Sequence, residues 1–171
     1  MAADLPAAVV RSLLERGLTV ATAESLTAGL LAAALADVPG ASGTLQGGVI
    51  AYQNRVKEQV LGVDAELLAR RGAVDGDVAV QMAQGARCVL GADVGLATTG
   101  VAGPEPHQGH PVGTVHLGIS GLGEDRSVPL QLEGDRPTIR RATVIHMLEH
   151  LQDLLGRPVP SADPSAPGDR R

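Results

Sequence analysis

Apolar and polar positions along the chain alternate between short strand-like runs and longer helical ones. Asp4 and Pro6 open, and Gly17 closes, a segment that predicts a helix over 5–16. Residues 18–22 alternate and are β-branched, which predicts a strand. From 26 to 36 the chain is apolar almost all round, as in a buried helix, and it stops at Val38-Pro39-Gly40. Residues 44–52 read as a second strand in which Gly47-Gly48 allows a close backbone approach or a bulge.

Asn54 is placed as the cap of a helix carrying Val56, Val60 and Leu61, with Lys57 in its first turn. Asp64 and Gly72 bracket a short helix, and a longer one runs from Asp75 or Asp77 to Leu90, closed by Gly91. Residues 92–99 predict a central strand that runs into Gly100-Val101-Ala102-Gly103-Pro104. Two antiparallel strands follow over 112–120 and 127–132, with Pro129 marking the second as an edge. Asp135-Arg136-Pro137 opens a last helix that ends near Gly156, with Val144, Met147, Leu148 and Leu151 on one face.

A length of 171 residues fits one domain, expected over 1–156, followed by a disordered Pro/Ser/Ala-rich tail over 157–171. The net charge of -5 argues against a general nucleic-acid or anionic-membrane surface, since both require a clustered basic face. Any phosphate bound is then small and locally held. The single cysteine, Cys88, excludes an internal disulfide and is expected as a small buried core residue. His146 and His150 have metal-ligand spacing but bring no third ligand, so no metal is expected. The N-terminus lacks a signal-peptide pattern and no apolar run is long enough to span a bilayer, which points to a cytoplasmic protein. Richness in Ala and Leu is compatible with a homo-oligomer.

Composition singles out one stretch for chemistry. Tyr52 is the sole aromatic residue and Lys57 the sole lysine beside thirteen arginines. Arginine stays protonated in proteins, whereas a lysine amine can be neutralised by burial and then serve as a base. Lys57 in a first turn would also have its charge opposed by the helix macrodipole. Ser25, at a strand-to-helix junction, fits either an N-cap serine or a nucleophile near the positive end of a buried helix. The glycines of 100–103 fit either turn chemistry or a backbone that approaches a ligand beyond a strand's carboxyl end. Arg136 and Arg140, four apart, fit either a solvated pair or an anion site.

Four pieces in order carry a resemblance: Ala23-Glu24-Ser25-Leu26-Thr27-Ala28-Gly29, Tyr52-Gln53-Asn54-Arg55-Val56-Lys57, Thr99-Gly100-Val101-Ala102-Gly103-Pro104 with Pro111-Val112-Gly113-Thr114-Val115, and Gly134-Asp135-Arg136. Across about residues 5–155 the chain resembles the CinA C-terminal domain family, which includes the nicotinamide-nucleotide amidohydrolases. The resemblance implies a single-domain α/β fold, three layers α/β/α with a mixed sheet. It also implies hydrolysis of nicotinamide mononucleotide to nicotinate mononucleotide and ammonia, without metal or organic cofactor. Ser25 would be the nucleophile, Lys57 the general base, Tyr52 a supporting group and Thr99 a hydroxyl donor. Glu24, Thr27, Asn54, Gly100, Ala102, Gly103, Arg136 and Arg140 would contact substrate, the two arginines through its phosphate.

The chain departs from the family's usual pattern at Leu26-Thr27-Ala28-Gly29, which stands for Cys-Thr-Gly-Gly, at Gln53, Arg55 and Val56, and at Glu105-Pro106-His107-Gln108-Gly109-His110, which replaces a glycine-rich loop at the substrate rim. Many members carry a further N-terminal domain, and this chain is expected to be the stand-alone form. Competing expectations are a Ser–Lys amidase of other small amides and a non-catalytic nucleotide-binding or regulatory module tied to competence or DNA damage.

Overall fold

The computed structural model describes residues 5–157. The cap assigned to Asp4 and all but the first residue of the expected tail lie outside them. Five strands, β1 (Val20–Glu24), β2 (Leu45–Ile50), β3 (Val94–Gly100), β4 (Thr114–Gly121) and β5 (Glu124–Gln131), form one sheet in the order β2-β1-β3-β4-β5. β1 runs parallel to β2 and β3, while β4 is antiparallel to β3 and β5. The sheet is therefore mixed, β3 is central, and the strand carrying Pro129 is an edge.

Helices α1 (Leu5–Glu15), α2 (Leu30–Ala36) and α6 (Arg136–Leu155) cover one face. Helices α3 (Asn54–Gln59), α4 (Ala65–Arg71) and α5 (Gly76–Leu90) cover the other, giving three layers, α/β/α. The two faces differ because side chains alternate along a strand. Val20, Val94, Leu96, Val115, Leu117 and Ile119 point toward α1, α2 and α6. The opposite face offers Ala21, Ala23, Ala97, Gly95 and Gly118, so α5 lies directly on the backbone. A methyl group at Gly95 or Gly118 would collide with the carbonyls of Ala83 or Ala79.

Aspartates at the N-caps fix three helix starts: Asp64 accepts from Glu66 N, Asp75 from Asp77 N, and Asp135 from Thr138 N. Of the two roles expected of Gly47-Gly48, close approach is the one seen: a side chain at Gly48 would strike the Thr22 hydroxyl, while the β1–β2 register shifts one residue earlier, at Gln46.

Several local expectations are corrected. α2 begins at Leu30, not near Leu26, because Ala28 (φ 49) and Gly29 (φ 97) turn into the left-handed region just before it. Gln53, not Asn54, holds the cap position of α3, and Lys57 is the fourth of that helix's six residues. Lys57 lies in the last turn of so short a helix, so the macrodipole does not oppose its charge. β5 starts at Glu124, three residues early, because Leu122 (φ 58) and Gly123 (φ 86) make a two-residue hairpin turn that pairs Gly121 with Glu124. Cys88 is exposed, since the inner face of α5 is taken by Val78, Ala79, Met82, Ala83 and Ala86.

Candidate active site

The carboxyl ends of parallel strands β1 and β2, together with that of β3, open on one side of the sheet, where ligands of open α/β sheets bind. Ser25 is the first residue beyond β1, and its amide donates to Thr98 O at 2.9 Å. Glu24, 1% exposed, turns its carboxylate beneath the following turn. It accepts from the amides of Gly29 (2.9 Å), Leu31 (3.0 Å) and Ala32 (2.8 Å) and from the Thr22 hydroxyl (3.2 Å). The free N–H groups of α2 are thus occupied by a carboxylate from the preceding strand.

β2 leads through Ala51–Gln53 into α3, which carries Lys57 back under Ser25. The lysine is 1% exposed. Its Nζ lies 2.7 Å from Ala51 O, 3.3 Å from Tyr52 O and 3.1 Å from Ser25 Oγ. Burial lowers its pKa to about 8, because removing water disfavours the charged amine. With two N–H bonds given to the carbonyls, the neutral amine keeps its lone pair for the Ser25 hydroxyl. The pair can therefore exchange a proton without rearrangement.

Above this pair lies a cleft of about 530 Å³, within the size range of small-molecule sites. Ser25, Lys57, Tyr52 and Thr99 line it, as do Asn54, Gly100, Ala102, Gly103 and Arg136. Arg136, exposed at its mouth, donates from Nη1 to Gly103 O (2.8 Å) and from Nη2 to Tyr52 Oη (2.9 Å). The Tyr52 side chain thus belongs to the mouth, while its main-chain carbonyl faces Lys57. Thr99 is 1% exposed and its hydroxyl donates to Ala73 O at 2.6 Å. Gly100 serves close packing on β4, where a side chain would meet Thr114 O and Val115. Among the described residues the amides of Leu26, Ala102 and Gly103 donate to no protein acceptor. Leu26 and Ala102 are buried and Gly103 half-buried, and all three residues line the cleft.

Glu24, Thr27 and Arg140 do not line the cleft. Thr27 shares a 2.7 Å hydrogen bond with the Thr98 hydroxyl. Arg140 donates from Nε to Leu26 O (2.8 Å) and from Nη2 to Thr27 O (2.9 Å). Glu105, His107 and Gln108 complete the rim, in the loop where the sequence departs from the family pattern. Ala73 and Val74 also line it, and no local signal marks them: they arrive between α4 and α5 through the Thr99 bond. His110 folds back on His107 in a paired turn outside the lining. Among the described residues no group of three or more His, Cys, Asp and Glu side chains could hold a metal, and no helix is long and apolar enough to cross a membrane.

Comparison with known proteins places these features in a family. The family model described as CinA C-terminal domain matches residues 2–155. A CinA-like protein of Frankia casuarinae is 46% identical over 166 residues, covering 97% of this chain and 38% of its own. A putative competence-damage inducible protein of Geobacillus kaustophilus is 48% identical over 142 residues, with 82% and 34% covered. The chain spans about a third of the length of the curated relatives it matches. Among solved structures, a CinA superfamily protein of Klebsiella pneumoniae superimposes with a TM-score of 0.88 at 33% identity, over 91% of this chain and 98% of the other. The competence/damage inducible protein CihA of Agrobacterium tumefaciens gives 0.86 at 37% identity, over 90% and 94%.

Proposed function

The chain belongs to the CinA C-terminal domain family, and from that premise we propose that it is an amide hydrolase converting nicotinamide mononucleotide to nicotinate mononucleotide and ammonia. One observation carries this reading: the buried amine of Lys57 sits 3.1 Å from the Ser25 hydroxyl, with its other contacts on main-chain carbonyls. A binding module has no use for a desolvated amine held against a serine.

Ser25 Oγ attacks the carboxamide carbon while Lys57 Nζ takes the hydroxyl proton. The resulting oxyanion is met by main-chain amides, for which Leu26, Ala102 and Gly103 are free. In other hydrolases the loss of one such donor costs about 3 kcal/mol of transition-state stabilisation. The C–N bond then breaks, Lys57 returns its proton to nitrogen, and ammonia departs from a Ser25 ester. Water attacks that ester, giving its proton to Lys57, and the released serine oxygen recovers it. Arg136 at the mouth supplies an exposed guanidinium suited to a phosphate.

The test is ammonia release from nicotinamide mononucleotide by the purified protein, beside Ser25→Ala and Lys57→Arg, with nicotinamide riboside as the unphosphorylated control. Loss in both variants and poor turnover of the riboside are expected. Binding of the mononucleotide without release would replace the enzyme with a regulatory module. Turnover of other small amides in preference would move the substrate but keep the Ser–Lys chemistry.

A further inference from the structure

The turn that presents Ser25 is held by two charged side chains of opposite sign, neither of which lines the cleft. Arg140, reaching across from α6, takes the successive carbonyls of Leu26 and Thr27 at 2.8 and 2.9 Å. Glu24 takes the amides of Gly29, Leu31 and Ala32 on the far side of the turn. Between them Ala28 is held at φ 49, a conformation that residues with a Cβ adopt reluctantly. We infer that Arg140 is a positioning residue for the nucleophile, and that its guanidinium is spent on the backbone instead of a substrate phosphate.

Charge-assisted bonds from a planar guanidinium fix two carbonyls in one geometry, which a lysine point charge does not reproduce. Because each peptide unit is planar and trans, fixing the carbonyls of Leu26 and Thr27 also fixes the amides of Thr27 and Ala28 on the opposite side. Removing Arg140 frees Ala28 to leave the left-handed region, and the peptide after Ser25 swings with it. Arg136, one turn earlier on the same helix, keeps the anion-facing role because it lines the cleft and is exposed at its mouth.

This inference rests on the Ser25 nucleophile of the proposed function, so its test combines activity with two readouts that do not need the natural substrate. Arg140→Met and Arg140→Lys are compared with wild type by steady-state kinetics on nicotinamide mononucleotide and its riboside. Labelling of Ser25 by a fluorophosphonate is followed by intact mass, and hydrogen exchange is followed over the 25–32 peptide. Misplacement of reacting groups by an ångström costs about 100-fold, so Arg140→Met should lower kcat by roughly 30-fold or more on both substrates, with KM within about twofold. Labelling slows in parallel, exchange over 25–32 rises while the rest of the chain stays protected, and Arg140→Lys fails to rescue. Adding Ala28→Gly to Arg140→Met recovers part of the kcat, because glycine accepts the same φ without restraint.

A rise in KM confined to the phosphorylated substrate, with exchange unchanged, would overturn the inference and return Arg140 to the phosphate. If wild type neither releases ammonia nor labels at Ser25, the proposed function fails. The exchange comparison alone then decides whether Arg140 holds the turn: faster exchange over 25–32 upholds the clamp, and unchanged exchange removes it.

Discussion

Lys57 and Tyr52 stand five residues apart and serve opposite halves of the cleft. The lysine is 1% exposed and its amine has three oxygen neighbours, so its position is over-determined. The tyrosine side chain is 51% exposed and its hydroxyl has one partner, Arg136, itself exposed. The same division runs through the rest of the site. The floor of Ser25, Lys57 and Thr99 is fastened to main-chain groups of β3 and of the loops after β2 and α4, with Glu24 gripping the turn behind Ser25, whereas the rim of Arg136, Glu105, His107 and Gln108 borders solvent. Fixed geometry at the floor suits bond making, and a looser rim suits selection among ligands. Substitutions at the floor should therefore act on kcat, and those at the rim on KM and substrate preference.

The largest effect expected is at the floor. Ser25→Ala removes the proposed nucleophile and should reduce ammonia release by about 10⁴-fold or more, as loss of a nucleophile does in other hydrolases. Lys57→Arg keeps a cation but cannot yield a neutral base, so a loss of about 10³-fold is expected, in the upper part of the range for general-base removal. Retention of a tenth of the activity by either variant would dissolve the distinction between floor and rim.

The pH dependence of Lys57 is next in size. In the proposed mechanism its neutral form is the active one, so kcat/KM should rise with pH and level off above a midpoint of about 8. Stability carries the same signature with a definite sign. The folded pKa lies below the unfolded value of 10.5, so the unfolded chain binds more protons between the two, and this group's contribution to stability rises with pH across about 8 to 10.5. Lys57→Met lacks that proton linkage. Its stability relative to wild type should fall by about 2 kcal/mol between pH 7 and pH 10.5 in chemical unfolding, a figure discounted for residual solvent screening. A rate profile flat through pH 8 would mean that the amine does not act as the base.

At the rim, Arg136→Ala should raise KM for the mononucleotide by roughly tenfold, the worth of one partly exposed charge-assisted contact, and leave the riboside unaffected. A matching loss on the riboside would show that the arginine shapes the floor through Gly103 instead of meeting the ligand.

How far this division is legible in the sequence depends on what each residue's role requires. Lys57 is conspicuous because it is the only lysine, and parallel pairing of β1 with β2 is what brings it to Ser25. The aspartate caps at Asp64, Asp75 and Asp135 and the Pro129 edge act through local chemistry and can be read directly, whereas Gly95 and Gly118 matter only through the distant backbone of α5. The turn over residues 26–29 cannot, because a run of apolar residues with helical character conceals the left-handed Ala28 that Arg140 and Glu24 hold from distant and buried positions. Arg136 and Arg140 look equivalent at four-residue spacing, yet one lines the cleft and the other grips a backbone. The strand residues Glu124, Asp125 and Arg126 carry no β signal, since their pairing is set by a hairpin turn with leucine in an unusual backbone conformation. In each case tertiary contacts override the local pattern.

Tyr52 offers the smallest and most discriminating change, because it belongs to both halves. Its carbonyl is one of the acceptors for Lys57, and its hydroxyl reaches Arg136. Tyr52→Phe leaves the first contact and deletes the second, so it should behave as a rim substitution. Because both partners are exposed to water, losing this hydrogen bond should cost about 0.5 kcal/mol, the low end for an ordinary hydrogen bond, and raise KM for the mononucleotide by about two- to threefold. The value of kcat and the midpoint of the pH profile should not move, since neither the Lys57 amine nor its carbonyl partners have changed. A tenfold fall in kcat with a shifted midpoint would place the phenol in the proton path and make Tyr52 part of the floor by its side chain as well as its backbone.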